Sequence, residues 1–322
     1  MKSSSIASPA EMPTLTANTQ DVKGRVRRKS RKTTLIFWSF VGPLVLGLLI
    51  FVYIPIVWSI ILSFFNARAT ITPTQFVGLQ NYQAMFQDSA FIQSLVTFII
   101  FAIFIVPTTL ICALGLALLV NSVRVGRSFF RSVFFIPTAC SYVVASLVWK
   151  MSIFAGLSYG LVNSVVAIFG VAPISWVSST SPPWYWLVLV TVRLWLQLGI
   201  FMIIFIAGLQ EIPRELYEAS FVDGAKKGWV TFRYITLPLL RNTTIATLLL
   251  CIIWAFQAFD EFINIMTGGN QILARPPLVY LYTVALNDQD YGRGTAGTMI
   301  LTVIVLLVSL LQGRIFGFGK AD

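Results

Sequence analysis

The sequence of 322 residues contains no histidine, and only 11% of its residues are charged. Histidine is the commonest general base and the commonest metal ligand, so its absence removes the usual starting points for catalysis and metal binding. The three cysteines each lie inside an apolar run without the spacing of a metal site, which excludes a disulfide framework. The chain also lacks the glycine-lysine loop that cradles nucleotide phosphates, so it does not bind ATP by that route.

The chain is instead rich in apolar residues, which make up 57% of the sequence and give a mean hydropathy of +0.82. A soluble domain carries roughly a quarter charged residues and fewer apolar ones. A helix that crosses a bilayer needs about 20 apolar residues. Six runs approach or exceed that length, at about 35–64, 91–120, 132–149, 184–209, 244–266 and 295–315. The sequence therefore predicts an all-α membrane protein with six transmembrane helices.

The 23 Lys and Arg residues outnumber 12 Asp and Glu, which gives a net charge of +11. Such a charge can indicate nucleic-acid binding, but 18 of the 23 lie in the N-terminal tail, at 121–131, at 211–241 and at the C-terminus. Basic residues beside membrane spans mark the cytoplasmic side, so both termini are predicted to be cytoplasmic and no nucleic-acid partner is expected. The polar, basic composition of residues 1–32 predicts a disordered tail. The remainder, 33–322, is predicted to form one transmembrane domain.

The predicted cytoplasmic loop at 211–241, between spans four and five, is long and polar. Pro213, with acidic residues after it, is typical of a helix start. Gly224 and Gly228 then allow a reversal of the chain, and a second short helix is expected from about Trp229. A short helix with an apolar face, held at the membrane surface, can enter a groove on a soluble partner. The alternative is an ordinary solvated loop lying on the bilayer.

Predicted span five contains Gln257, Asp260, Glu261 and Asn264, at helical spacing that places them on one face. An acid at bilayer depth costs roughly 2.5–3.5 kcal/mol, so this face should point to a protein interior or to water. Carboxylates and amides hydrogen-bond sugar hydroxyls, which makes the face a candidate substrate pathway. Two alternatives remain, a structural ion pair of Asp260 or Glu261 with Arg193 of span four, and a surface position near the outer mouth.

Span four adds further candidates for the pathway, namely Arg193, Trp195, Gln197 and Phe201. Arg193 and Gln197 are four residues apart and share a helix face, which Phe201 continues. Aromatic residues inside spans more often serve packing than ligand binding. A rival function in a different class is an ion-driven transporter or channel that uses Asp260 and Glu261 as a proton or sodium site.

Six strings occur along the chain in an informative order. The 211–241 loop contains EASFVDGA at 218–225 and ITLP at 235–238, and the other four strings are FVGLQNY at 76–82, FFIP at 134–137, AGLQEIP at 207–213 and TGGN at 267–270. Together they resemble binding-protein-dependent ABC importer permeases of the carbohydrate branch, with maltose-transporter MalF-like subunits as the nearest type. The loop resembles the EAA motif of that family, with Ser220 in the place of its third residue.

This resemblance implies a six-span type I importer permease in a bacterial inner membrane, surrounded by lipid. The EAA loop would dock on a cytoplasmic ATPase through Glu218, Ala219, Ser220, Asp223, Gly224, Leu237 and Pro238. The implied partners are a second homologous permease, two ATPase subunits and an extracytoplasmic solute-binding protein. ATP and Mg²⁺ would be bound by the ATPases, with no cofactor in this chain and no enzymatic activity of its own. The implied substrate is a di- or oligosaccharide, with glycerol phosphate or a polyol as the alternative.

Overall fold

The computed structural model describes residues 19–123, 125–226, 228–266 and 273–316, with side chains from 34 to 315. The segment at 267–270, most of the predicted tail and the last six residues lie outside the described residues. The chain divides into two units at 59/60, and each is taken by itself.

The helices of the described residues are α1 Thr19–Leu48, α2 Ile54–Leu62, α3 Gln80–Gln87, α4 Ser89–Ser122, α5 Arg127–Phe135, α6 Tyr142–Val148, α7 Leu161–Ala167, α8 Tyr185–Glu211, α9 Arg214–Val222, α10 Trp229–Thr231, α11 Leu237–Leu239, α12 Arg241–Phe256, α13 Asp260–Ile265, α14 Pro277–Tyr282 and α15 Tyr291–Phe316. Single turns of π-helix or 3₁₀-helix extend several of them, at Leu49–Tyr53, Ile136–Ala139, Trp149–Ile153, Phe232–Thr236 and Thr283–Asn287. Two short strands, β1 Phe65–Asn66 and β2 Gln75–Phe76, pair antiparallel.

The first unit contains α1 and the start of α2. The helical stretch from Thr34 to Leu62 has 29 residues and is apolar enough to cross a bilayer, as predicted for span one. The helix begins at Thr19, however, inside the segment whose composition predicts disorder. Lysine and arginine are good helix formers, so a basic segment can extend a long apolar helix beyond the membrane.

The second unit is organised around α4, α8 and α15, whose long apolar sequences make each of them a candidate membrane span. Their bounds agree with the predicted spans two, four and six to within about four residues. The core where α4 meets α8 and α12 is aromatic, and Phe98 stacks on Phe256 with ring centroids 3.9 Å apart. Pro107 lies inside α4 without ending it, as membrane helices tolerate.

Predicted span three and the entry into predicted span five are bent. The first bend, of 95°, separates Arg127–Ala139 from Tyr142–Ile153. Pro137 explains it, since proline cannot donate to the preceding turn and the helix tightens to 3₁₀ geometry there. The second bend, of 68°, separates Trp229–Leu239 from Arg241–Phe256 and follows Pro238 by two residues. The described residues thus contain four unbroken candidate spans, and up to six if each bent pair is one span.

The segment at 76–82 folds back onto the end of α2 and onto β1. Gly78 has a φ of +57°, in the left-handed region that favours glycine. The Asn81 side chain then donates to the backbone carbonyls of Ser63 and Phe65, at 3.0 and 2.9 Å. Tyr82 and Ser63 share a hydrogen bond of 2.7 Å between their hydroxyls. The motif therefore has a structural role in this chain, closing the β1–β2 loop.

Candidate functional site

A cavity of about 280 Å³ opens where α6, α8 and the end of α12 meet α13. Polar and aromatic side chains line it, namely Tyr142, Arg193, Gln197, Trp254, Gln257, Asp260 and Glu261. Five of these seven are predicted pathway residues, so the polar residues of spans four and five do converge. Gln257 is exposed to the cavity, Asp260 is half-buried and Glu261 is fully buried.

The cavity wall is built around an ion pair between α8 and α13. Arg193 Nη1 donates to Glu261 Oε1 over 2.5 Å, and the two side chains are only 5% and 1% exposed. A lone ion buried to this degree would be strongly destabilising, so each charge is tolerated because of the other. The structural pairing that the sequence analysis leaves open is therefore present for Glu261. Its second oxygen, Oε2, has no hydrogen-bond partner among the described residues.

Arg193 also explains a break in predicted span five. In a continuous helix the Trp254 carbonyl would accept the backbone N–H of Ala258. Here Arg193 Nη2 donates to that carbonyl, and Ala258 N–H donates instead to the Ala255 carbonyl at 3.1 Å. The helix ends at Phe256 and resumes at Asp260. The prediction of one continuous polar face from 257 to 264 is therefore wrong. The last turn of α12 tightens, so that the Trp254 carbonyl accepts from the Gln257 N–H at 3.1 Å and from Arg193.

Arg193 also contacts Gln197 on its own helix and the ring of Tyr142 on α6. A guanidinium has donors only, so we orient the Gln197 amide with its oxygen toward it. In that orientation Gln197 Oε1 accepts from Arg193 Nε at 2.7 Å and from the Tyr142 hydroxyl at 2.8 Å. The Tyr142 ring also lies 5.2 Å from the guanidinium carbon. The i, i+4 pairing predicted for Arg193 and Gln197 is thus present in the cavity wall.

Three predicted pathway residues do not line the cavity. Asn264 donates to the Asp260 carbonyl within α13, and its own carbonyl accepts from Lys150 Nζ at 3.3 Å. Trp195 points to a different side of α8, where its ring lies 5.0 Å from that of Trp149. Phe201 is completely buried beneath the cavity.

Two cavity residues, Tyr142 and Trp254, are absent from the sequence-based candidates. Aromatic residues make up 14% of the chain, so their identity alone singles out neither. Trp254 precedes Gln257 by three residues, a spacing that places both on one helix face. Once Gln257 is a candidate pathway residue, this spacing points to Trp254 as well. Tyr142 has no such signal, since Pro137 marks a bend in span three but not the direction in which the chain continues after it.

The 211–241 loop contains a helical hairpin, as predicted. Pro213 precedes α9, and Gly224 follows it with a φ of +85°. Gly228 has a φ of +106° and precedes the second helical segment, Trp229–Leu239. The Tyr217 hydroxyl lies 3.1 Å from the Thr236 hydroxyl and joins the two arms. Pro238 lies within the second arm, and the chain bends two residues after it.

The hairpin exposes an apolar edge as well as its acidic residues. Glu218, Ala219 and Asp223 are exposed on α9, while Ser220 is half-buried and donates to the Tyr217 carbonyl. Val222 is 88% exposed at the end of the same helix, and Trp229 is 74% exposed across the turn. Large apolar side chains exposed on both arms of a short hairpin are typical of a protein-binding surface.

Comparison with known proteins decides what kind of chain this is. Residues 89–316 match the family described as the binding-protein-dependent transport system inner membrane component. The chain belongs to this family. It is therefore the permease component of an ABC importer rather than its ATPase, and a multi-pass inner-membrane protein. The resemblance seen in the sequence is confirmed, and the ion-driven alternative is set aside.

Two curated relatives of this permease cover nearly its whole length. The arabinooligosaccharide transport permease AraP of Bacillus subtilis is 32% identical over 88% of this chain and 90% of its own. The trehalose/maltose transport permease MalF of Thermococcus litoralis is 31% identical over 86% of this chain and 92% of its own. A solved bacterial importer of the acidic polysaccharide alginate contains a chain with the same fold, with a TM-score of 0.78 at 20% identity, covering 92% of this chain and all of that one.

A second ionic cluster lies at the N-terminal ends of α4 and α15. Arg293 Nη2 donates to Asp88 Oδ2 at 3.0 Å, and the Tyr280 hydroxyl donates to the same oxygen. Burial raises the pKa of Asp88, but the hydrogen bonds from Tyr280 and the Ala90 backbone, with the charge of Arg293, outweigh it. The pKa is therefore below its ordinary value.

Asp88→Asn is expected to lower the stability of the permease by about 1 kcal/mol, since Arg293 is about a third exposed and its charge is partly screened. A lowered pKa means that the carboxylate stabilises the fold above the ordinary value near 4 and loses this effect as the pH falls through the lowered one. The cost of the substitution should thus be constant from about pH 5 to 8. Thermal unfolding in detergent measures it, with exposed Asp288→Asn as control. An equal loss in both variants would contradict the assignment.

Proposed function

We propose that this permease forms part of the translocation pathway for a di- or oligosaccharide, and that the cavity beside Arg193 contacts the sugar. The observation that carries the proposal is the convergence of Gln257, Asp260 and Glu261 on one cavity with the indole of Trp254. Carboxylate and amide groups hydrogen-bond sugar hydroxyls, and an aromatic face packs against the C–H surface of a sugar ring. The names of AraP and MalF, which refer to oligo- and disaccharides, support the same substrate class.

The cavity in this chain supports a pathway shared with a second permease. Ligand pockets usually measure about 300–1,000 Å³ and bury most of the ligand surface. The cavity of this chain measures about 280 Å³, at the lower end of that range. A homologous permease subunit facing it would supply the other half. The solved alginate importer is described as bound to its periplasmic binding protein, and a corresponding soluble protein is proposed to deliver sugar to this pathway.

The helical hairpin at 211–241 supports coupling to ATP hydrolysis in separate subunits. The exposed α9 offers Glu218 for a basic residue of an ATPase and Val222 for an apolar contact. Two such ATPases would bind ATP and Mg²⁺, and their closure would move the hairpin. A coupling of this kind shifts the inward and outward states only through contacts that differ between them. The excess of basic residues beside this hairpin supports a cytoplasmic position for it and for both termini.

Replacing Gln257 by Ala and Asp260 by Asn, singly, tests the substrate role. Each variant should reduce uptake of a labelled oligosaccharide by about 5- to 30-fold, because each removes a hydrogen bond to the sugar that is worth about 1–2 kcal/mol. Folding and basal ATPase activity should be retained, since neither side chain is fully buried.

Uptake by the assembled transporter is the measurement, with Gln87→Ala as a matched control at an exposed glutamine outside the cavity. Normal uptake by both cavity variants would reject the substrate role. If the unmodified complex takes up no saccharide in an ATP-dependent manner, the proposed function as a whole is rejected.

A further inference from the structure

The charges in the cavity are unbalanced toward the negative. Its lining contains one cation, Arg193, and two carboxylates, Asp260 and Glu261. The nearby cation Lys150 is not part of the lining, and its Nζ donates to the Asn264 carbonyl at 3.3 Å. The cavity therefore carries a formal charge of −1 within the described lining.

The one cation is also fully committed to protein partners. Its guanidinium donates to the Glu261 carboxylate, to the Trp254 carbonyl and to the Gln197 amide oxygen, and it lies near the Tyr142 ring. Binding an anionic ligand through Arg193 would require breaking the pair with Glu261 and would leave a carboxylate buried and alone, which is strongly unfavourable. Arg193 is thus not available as an anion-binding group.

The groups left for a ligand are mainly hydrogen-bond acceptors. Glu261 Oε2 is buried in the lining without a partner among the described residues. Asp260 takes part in neither of the ion pairs formed by the described residues. Gln257 adds an exposed amide that can donate or accept. Hydroxyl groups can satisfy these acceptors by donating to them, whereas a carboxylate or a phosphate cannot.

We propose that this cavity selects uncharged polyhydroxy substrates and excludes anionic saccharides and sugar phosphates. The inference deepens the proposed function and rests on it. At an effective dielectric of about 20, a second negative charge some 6 Å from an uncompensated carboxylate weakens binding by roughly tenfold to hundredfold. By the same argument, a permease of this fold that transports an acidic polysaccharide such as alginate needs a cavity without this net negative charge. The glycerol-phosphate alternative for this chain is disfavoured on the same ground.

The test uses a matched pair of trisaccharides, neutral maltotriose and anionic trigalacturonate. Binding to the purified complex of both permeases and both ATPases is measured calorimetrically without the soluble binding protein, so that the cavity alone selects. We expect maltotriose to bind at least tenfold more tightly than trigalacturonate. Asp260→Asn should reduce this ratio toward one, and Asp260→Lys should reverse it. Because Asp260 is half-buried, both variants should fold, and unfolding midpoints check this.

Trigalacturonate binding as tight as that of maltotriose, or a ratio unchanged in both Asp260 variants, would overturn the proposal. Failure of both sugars to bind would overturn it too. A separate arm measures ATP-driven uptake of neutral saccharides by the complete transporter with its binding protein. Its failure would reject the proposed function itself, whereas successful uptake with an unselective cavity would reject only the charge selection.

Discussion

Arg193→Gln is expected to abolish uptake and to destabilise the permease by about 3–5 kcal/mol, the cost of leaving one member of a buried ion pair alone. Glu261 would lose its ion-pair partner in a position that is completely buried. The Trp254 carbonyl would also lose one of its two donors and keep only the Gln257 backbone N–H at 3.1 Å. The substitution therefore removes the ion pair and the contact that ends α12 at the same time.

Double substitution separates the charge from the geometry. Arg193→Gln/Glu261→Gln removes both charges, so it should recover much of the stability lost in the single variant. Arg193→Lys keeps the charge, but one ammonium cannot satisfy Glu261, Trp254 and Gln197 in the planar arrangement of a guanidinium. We expect it to recover part of the stability and little uptake. Unfolding in detergent and uptake in vesicles measure the two effects.

Exposed Arg68→Gln is the control for the loss of one positive charge and should change stability by less than about 0.5 kcal/mol. A small, equal effect of Arg193→Gln and Arg68→Gln would contradict the importance of the pair. No recovery in the double variant would show that Arg193 acts mainly through the Trp254 carbonyl.

The sequence predicts the long spans well because length and hydropathy determine them. The predicted helices at 91–120 and 184–209 differ from Ser89–Ser122 and Tyr185–Glu211 by at most two residues at each end. No alternative structure satisfies the backbone of so long an apolar segment in a bilayer, so neighbouring side chains have little influence on where it lies. The bend at Pro137 is also marked in the sequence, although its angle is not.

The break after Phe256 could not be predicted in the same way. No proline or glycine lies at 257–259, and the polar spacing from Gln257 to Asn264 favours one continuous helix. At the break the Trp254 carbonyl accepts from the Gln257 N–H and also from Arg193, a side chain more than 60 residues earlier. Pattern analysis identifies which polar residues matter, but their arrangement depends on this tertiary contact.

The break also gives the cavity its shape. A continuous helix would place Asp260 and Glu261 on one regular stripe with Gln257, at fixed distances along the axis. The irregular segment at 257–259 instead directs Gln257 and both carboxylates into the same small space. Discontinuous helices inside a membrane are tolerated where they line a polar cavity or are buried in protein. The segment at 257–259 lines a polar cavity, which is one of these settings. The same break in span five therefore accounts for the tolerated irregular backbone and for the arrangement of the proposed sugar contacts.

The second large effect is expected in the 211–241 hairpin, where Glu218→Lys should abolish ATP-driven uptake and leave the fold intact. Glu218 is exposed on α9, and no ion pair of the described residues involves it, so its replacement costs this chain little stability. Reversing its charge against a basic residue of an ATPase replaces an attraction by a repulsion. Copurification of the ATPases and ATP-dependent uptake should therefore fall together. Asp288→Lys, at an exposed carboxylate outside the hairpin, is the control.

Gly224 provides an independent test of the same hairpin, since its φ of +85° is unfavourable for any residue with a branched side chain. A Cβ at this position meets no atom within 4 Å, so the cost of substitution within this chain is backbone strain alone. Gly224→Asn should be tolerated, because asparagine adopts the left-handed region, whereas Gly224→Val should release the ATPases. Equal loss in both variants would mean that an ATPase surface packs directly on Gly224. Normal copurification with Gly224→Val and Glu218→Lys together would show that this hairpin is not the coupling element.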